Sequence, residues 1–370
     1  MTIALLTLAL LQQNDIVEKK AANGLSTCVR VPRGYNPKAG APAIVWLHGS
    51  NMNSIDYLQT FVGMKWFPDW ILIGIDGEKG TKQSGHNYTF DSAKLIVEAY
   101  DELAKTLKIT KAFIGGHSQG GFVTYSVIME HPEKFAGAVP VAGGLWTQCE
   151  PEGFKPEIQE RQKRTALAIV HGRADPVVEF SLAESAHFSF TDAGFPMTRL
   201  FDPEQGDHRF ALLPVKDALE WCDAMTQTEP KKLAFVADLL LKQKRYRDAS
   251  SAGQRAKAAS ALKAVEAAAT AAAKPLAAKM AKAKDDAWVK EFWAFRQDFQ
   301  FTDAAKPLME AYAKLRAEHA KPAEELFWKA RADFQRDNAA AAYKSYEEIV
   351  AKYYASKWYY YAKSGLSARK

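Results

Sequence analysis

The sequence predicts an α/β chain: a doubly wound, mostly parallel sheet with an antiparallel start, followed by an all-α region of helical-repeat character. Three observations predict it. Between residues 15 and 226, short continuous apolar runs alternate with segments of helical apolar spacing, the pattern of parallel strands covered on both faces by helices. Beyond TQTEP (226–230) glycine nearly vanishes and alanine and lysine dominate, a strongly helix-favouring composition. The charge changes sign at the same place. Residues 1–229 carry 21 Lys+Arg against 27 Asp+Glu, a net −6; residues 230–370 carry 28 against 16, a net +12, together the +6 of the whole chain. A 370-residue chain that is 48% hydrophobic and 25% charged is globular in composition and long enough for two domains, expected at 14–226 and 227–370.

The elements follow in order. MTIALLTLALLQQ opens the chain with an apolar run, Ile3 to Leu11, too short to span a bilayer. It has the length of a signal-peptide core but lacks a basic start and an A-x-A site. An export signal over residues 1–13 is the expectation, hence a periplasmic or secreted protein; the alternatives are a buried extra element and a cytoplasmic one. DIVEKKA and STCVRVP read as strands joined at Asn23-Gly24, a strong hairpin signal. APAIVWLHG and DWILIGID are buried strands, and DSAKLIVEAYDELAKTL is a helix with Leu95, Ile96, Ala99, Leu103 and Leu107 on one side. Then come the strand KAFIGG, a helix from about Gln119 to Glu130 stopped by Pro132, and the strands GAVPVAG and ALAIVHG. A helix from about Glu179 to Phe190, the strand MTRLFD and the helix ALLPVKDALEWCDAM complete the sheet region. In the back region, residues 251–284 approach low complexity, and the tail from Glu325 resembles a tetratricopeptide-type helix–turn–helix, without a clean 34-residue period.

The chemistry centres on GGHSQGG, residues 115–121. An apolar strand runs into His117-Ser118-Gln119 and a helix leaves at once, the context in which Gly-x-Ser-x-Gly presents a serine above a sheet edge. Gly116 and Gly120 remove side chains that would collide there, and the helix N-terminus favours developing negative charge. A serine hydroxyl needs a base, and a base is best oriented by an acid. Asp175 lies in HGRADPVVEF, just beyond a buried strand, and His208 in the loop after the next one. Asp202 and Asp207 are competing acids, but neither occupies the loop after that buried strand. The plain alternatives are a structural glycine turn at Ser118, a helix cap at Asp175 and a surface histidine at His208.

These three motifs, GGHSQGG, HGRADPVV and GDH followed by ALEWCDAM, resemble the α/β-hydrolase superfamily, in its carboxylesterase, acyl-thioesterase and dienelactone-hydrolase-like branch, over about residues 15–226. The resemblance implies an α/β-hydrolase fold, Ser118 as nucleophile, His208 as general base then acid, and Asp175 orienting the imidazole. It also implies an oxyanion hole from the backbone N–H of Gln119 and of Ser50 or Asn51 in LHGSN. His48, His86, Tyr88 and Trp146 are candidate substrate contacts, the middle two within the loop GEKGTKQSGHNYTF. The stretch from Trp146 to Arg164 could form a flap.

The expected function is hydrolysis of small-molecule carboxylic esters, oxygen ester or thioester, without cofactor or metal, since no metal-ligand spacing occurs. The alternatives are an oligopeptidase-like serine peptidase and a non-catalytic protein binding through its helices. The basic helical region suggests a protein or surface partner. Nucleic acid is not expected, for no such module is recognisable, and no segment is long and apolar enough to be transmembrane. Tyr353, Tyr354, Trp358, Tyr359, Tyr360 and Tyr361 read as helix packing. Cys28, Cys149 and Cys222 lack C-x-x-C spacing, and an odd count leaves at least one free thiol or a bond to another chain.

Overall fold

The computed structural model describes residues 15–280 and 286–367, so the expected export signal lies outside the described residues. They divide into two compact units, one reaching Thr226 and the other starting at Gln227.

The first unit contains ten strands: β1 (Val17–Lys20), β2 (Ser26–Arg30), β3 (Ala41–Leu47), β4 (Ile71–Ile75), β5 (Lys79–Thr81), β6 (Gly85–Asn87), β7 (Ile109–His117), β8 (Gly137–Val141), β9 (Ala166–Val170) and β10 (Thr198–Phe201). Eight form one sheet in the order β1-β2-β4-β3-β7-β8-β9-β10. Within this sheet only the β1–β2 and β2–β4 pairings are antiparallel. This order, with its antiparallel second strand, is that of the α/β-hydrolase fold. Asn23-Gly24 does sit in the β1–β2 turn, but the turn spans residues 21–25 and is closed by Ala21 N–H to Leu25 O, with Gly24 at φ +88°.

The central strands are apolar throughout because both faces are covered. ILIGI of β4, GAVPV of β8 and ALAIV of β9 are buried at every position. The helices of this unit are α1 (Ser54–Gly63), α2 (Ser92–Thr106), α3 (Gln119–Glu130), α4 (Pro156–Gln162), α5 (Phe180–Asp192) and α6 (Val215–Met225). Helix α2 faces the core with Ile96, Val97, Ala99, Tyr100 and Leu103, the side the apolar spacing marks. The order of strands reverses between β3 and β7, and an open parallel sheet places its crevice outside the carboxyl ends of such strands.

The second unit is helical: α7 (Pro230–Lys242), α8 (Tyr246–Ala256), α9 (Ala259–Met280), α10 (Asp286–Phe299), α11 (Lys306–Gln335), α12 (Ala339–Lys352) and α13 (Trp358–Ser367). Proline at the first or second position opens α7 and α11, where a missing N–H costs nothing. Its core is aromatic and alanine-rich. Trp288 stacks on Phe292, Phe292 on Tyr312, and the Arg296 guanidinium lies over Trp293 and Tyr312. Trp358 is buried against Phe327 at 4.7 Å between ring centroids, and Tyr361 packs beside it. The resemblance to tetratricopeptide repeats goes no further than successive helix–turn–helix pairs. Among the described residues, no helix is long and apolar enough to cross a membrane.

All three cysteines are free and buried: Cys28 in β2, Cys149 in a short turn after β8, and Cys222 in α6.

Candidate active site

β7 ends at His117 and α3 begins at Gln119, leaving Ser118 alone in the turn at φ 54°, ψ −117°. A non-glycine residue in that region is strained by about 1–3 kcal/mol and persists only where its surroundings impose it. Here they do. Ser118 N–H donates to Val141 O at the end of β8, and Ser118 O accepts from the N–H groups of Gly121 and Phe122. A Cβ on Gly116 would lie 2.4 Å from Gly120 O, and one on Gly120 would lie 2.6 Å from the carbonyl oxygens of Leu47 and His48. The two glycines of the motif are what let the strand, the turn and β3 close on one another.

Asp175 follows β9. Its Oδ1 accepts the N–H groups of Val177 (2.8 Å) and Val178 (2.9 Å), and its Oδ2 lies 2.8 Å from His208 Nδ1 and 3.4 Å from His171 Nε2. The carboxylate thus closes its own turn and reaches the imidazole; it is not a helix cap, since α5 starts only at Phe180. Burial alone would raise its pKa, but the imidazoles of His171 and His208 and the two backbone donors outweigh burial and hold it far below the ordinary carboxylate range. An ionised Asp175 only accepts, so the His208 proton facing it sits on Nδ1. Among the described residues neither His208 Nε2 nor the Ser118 hydroxyl has a hydrogen-bond partner.

The backbone N–H groups of Ser50 and Gln119 also have no acceptor among the described residues. The Asn51 N–H, by contrast, is already taken by His86 O at 3.0 Å and Asn87 Oδ1 at 3.2 Å. The reason is that GEKGTKQSGHNYTF is not a plain loop. β5 and β6 pair as a ribbon, and its second strand bridges to Met52 while Asn87 Nδ2 donates to Asn51 Oδ1. Gly85 lets the two backbones meet, for a Cβ there would lie 2.1 Å from the Asn51 carbonyl.

The expected substrate contacts fare unevenly. His48 is 0% exposed, its Nε2 accepting Gly77 N–H and its Nδ1 lying 2.7 Å from Gly49 O. Tyr88 is buried, donating to Ile75 O, accepting from His48 N–H and stacking on the His48 ring. Both are braces inside the fold rather than lining. His86 is nearly buried and turns its Nδ1 to Asn53 Oδ1. Trp146 alone of the four stays half-exposed, between Phe122 of α3 and Phe90, which is 61% exposed. The stretch after Trp146 forms two short turns and α4, anchored where buried Gln162 donates to Met129 O at 2.7 Å. Four residues escaped the sequence reading: Tyr57, Phe90, His117 and His171. His117 lies inside the Gly-x-Ser-x-Gly string, His171 opens HGRADPVV and Phe90 ends GEKGTKQSGHNYTF, whereas Tyr57 lies in no motif.

Residues 36–210 match a family model described as Phospholipase/Carboxylesterase. Acyl-protein thioesterase 1 of Neurospora crassa is 27% identical over 176 residues, 46% of this chain and 68% of that protein. Among solved structures, a thermostable esterase is similar at 20% identity and a TM-score of 0.44, over 58% of this chain and 64% of its own. Acyl-protein thioesterase 2 of Zea mays is similar at 19% identity and a TM-score of 0.43, over 54% of this chain and 97% of its own. In sequence, the sheet unit is thus similar to a carboxylesterase family and to an acyl-protein thioesterase.

Proposed function

We propose that the sheet unit is a serine hydrolase of carboxylic esters, oxygen or thioester, acting through Ser118, His208 and Asp175. The observation that carries the reading is the 2.8 Å contact between buried Asp175 and His208, on the loops that follow β9 and β10, while the strained Ser118 stands at the end of β7. In this reading His208 Nε2 takes the Ser118 proton as Oγ attacks the acyl carbonyl. The N–H groups of Ser50 and Gln119 hold the oxyanion, a contribution of roughly 3–4 kcal/mol per donor. His208 then protonates the leaving alcohol or thiol, and water activated by the same nitrogen releases the acid.

Exposed apolar side chains near the candidate site in sequence favour an apolar acyl or alcohol group. Five large apolar side chains are exposed among the described residues of this unit: Met52, Met64, Phe90, Val177 and Leu212. Met52, Val177 and Leu212 lie within a few positions of Ser50, Asp175 and His208, and Phe90 packs on half-exposed Trp146. The test is labelling with a fluorophosphonate probe and turnover of p-nitrophenyl esters across acyl lengths. Ser118→Ala is expected to lose both, and Asp175→Asn to lose about 10⁴-fold in kcat. A folded wild type that neither labels nor turns over ester would defeat the reading.

A further inference from the structure

Beside the candidate triad a second hydrogen-bonded line crosses the site. Gly49 N–H donates to Tyr57 Oη at 3.3 Å, Tyr57 Oη lies 2.7 Å from His117 Nδ1, and His117 Nε2 lies 2.7 Å from the backbone O of His208. Tyr57 is 3% and His117 7% exposed. The proton positions follow from the partners. A carbonyl oxygen only accepts, so His117 carries its proton on Nε2 and donates to His208 O. Its Nδ1 is then an acceptor, and the Tyr57 hydroxyl donates its one proton to it rather than to Met52 Sδ at 3.2 Å, a weaker acceptor, while receiving the Gly49 N–H. Burial pushes the His117 imidazole down to about 4 and the Tyr57 phenol well above its ordinary range, so this line keeps one proton arrangement at any pH where esters are assayed.

We propose that Tyr57 and His117 are positioning residues that tie the loop of the base and the loop of the oxyanion donor to the turn of the nucleophile. The inference rests on the esterase reading above and specifies how that site is held. His208 is gripped at two points, its side chain by Asp175 and its main chain by His117. Gly49, whose peptide unit leads directly into the Ser50 N–H, is held by Tyr57. The strands β3 and β7 pair up to Leu47 and Gly116, but the loop of the base leaves the β10 side, three strands away from β7, so sheet pairing alone does not fix its spacing to the other two loops. Errors of about 1 Å in such spacing cost on the order of 10²-fold in rate. The rings also pack, Tyr57 against Phe210 at 5.0 Å and His117 against Phe210 at 6.0 Å, so a packing role has to be separated from a positioning one.

Three variants separate them. Tyr57→Phe keeps the ring and removes the hydroxyl. His117→Asn puts an amide at the Nδ1 position but leaves no donor for His208 O, whereas His117→Gln places its amide nitrogen where Nε2 was and keeps that donor. With p-nitrophenyl ester as substrate, His117→Asn is expected to lose about 30-fold in kcat and Tyr57→Phe about 10-fold, KM moving less than twofold. His117→Gln is expected to recover most of the loss. Wild-type kcat in both Tyr57→Phe and His117→Asn, with only Tm lowered, would overturn the proposal, as would a His117→Gln as slow as His117→Asn. A readout without turnover keeps it apart from the esterase reading. The downfield proton resonance of His208 Nδ1–H, identified by its absence in His208→Gln, is expected to broaden in His117→Asn and to stay sharp in His117→Gln. If wild type proves inactive, the esterase reading falls, while an unaltered resonance in all three variants overturns the positioning role independently.

Discussion

Left-handed backbone at non-glycine residues occurs in both units, and it serves different ends. In the helical unit Lys244, Lys257 and Asp337 adopt φ values of 56°, 54° and 57°, and each directly follows a helix: α7, α8 or α11. There it satisfies the last carbonyls and stops the helix, the ordinary use of this conformation. In the sheet unit Lys65 and Phe67 likewise follow α1, but Asn51, Ser118 and Ala142 lie just beyond the carboxyl ends of β3, β7 and β8. Those are adjacent strands at the sheet's reversal point. One unit uses the conformation as punctuation; the other concentrates it beyond three adjacent strand ends, beside the N–H groups of Ser50 and Gln119, which have no acceptor among the described residues. The cost in backbone energy is comparable, and what differs is whether neighbouring groups are left unsatisfied for something else to meet.

That contrast can be broken first at Gly85. Alanine there must push the Asn51 backbone away, and with it the preceding Ser50 N–H. A kcat loss on the order of 10²–10³ with KM little changed is expected in ester turnover, the scale of one oxyanion donor; unchanged kcat would mean that the ribbon does not hold the donor. A second measurement concerns the buried imidazole. His117 titrates near 4 in the fold against 6.5 ordinarily, so between these values the unfolded chain binds the proton first. Stability therefore falls as pH drops from about 6.5 to about 4, by up to about 3 kcal/mol, with no slope from this group above 6.5. His48, lowered chiefly by burial, adds a slope of the same sign. Urea unfolding of His117→Gln against wild type is expected to show the shallower decline. The smallest effect belongs to the helical unit. Lys257→Gly relieves an αL side chain at a helix stop, and a gain of about 0.5–1 kcal/mol in urea unfolding is expected, with ester turnover untouched.

The fold was legible because strands buried on both faces must be apolar at every position, as in IVWL, ILIGI and ALAIV, and because Pro132 and the glycines mark where elements end. Ser118, Asp175 and His208 were legible as residues in order along the chain. Their neighbours were not. His48 and Tyr88 looked like lining because they follow strand ends, but side-chain direction there depends on what packs behind, and both found buried backbone partners. GEKGTKQSGHN lacks apolar alternation and so predicts a loop; backbone pairing to Asn51 and Met52 holds it as the β5–β6 ribbon instead. Tyr57 precedes His117 by sixty positions, and no local pattern reports a hydrogen bond across that separation.

The buried cysteines have a use that has nothing to do with catalysis. Cys28, Cys149 and Cys222 are all closed to solvent, and burial raises each thiol above its ordinary pKa, so an alkylating reagent meets almost no thiolate in the native state. Modification must wait for the chain to open around each sulfur. They sit in the second strand, in the turn after β8 and in the last helix of the same unit, and the helical unit has no cysteine at all. The protein thus carries three internal clocks for the breathing of one half of the molecule, and its other half offers a blank surface on which a single introduced cysteine could carry a fluorophore.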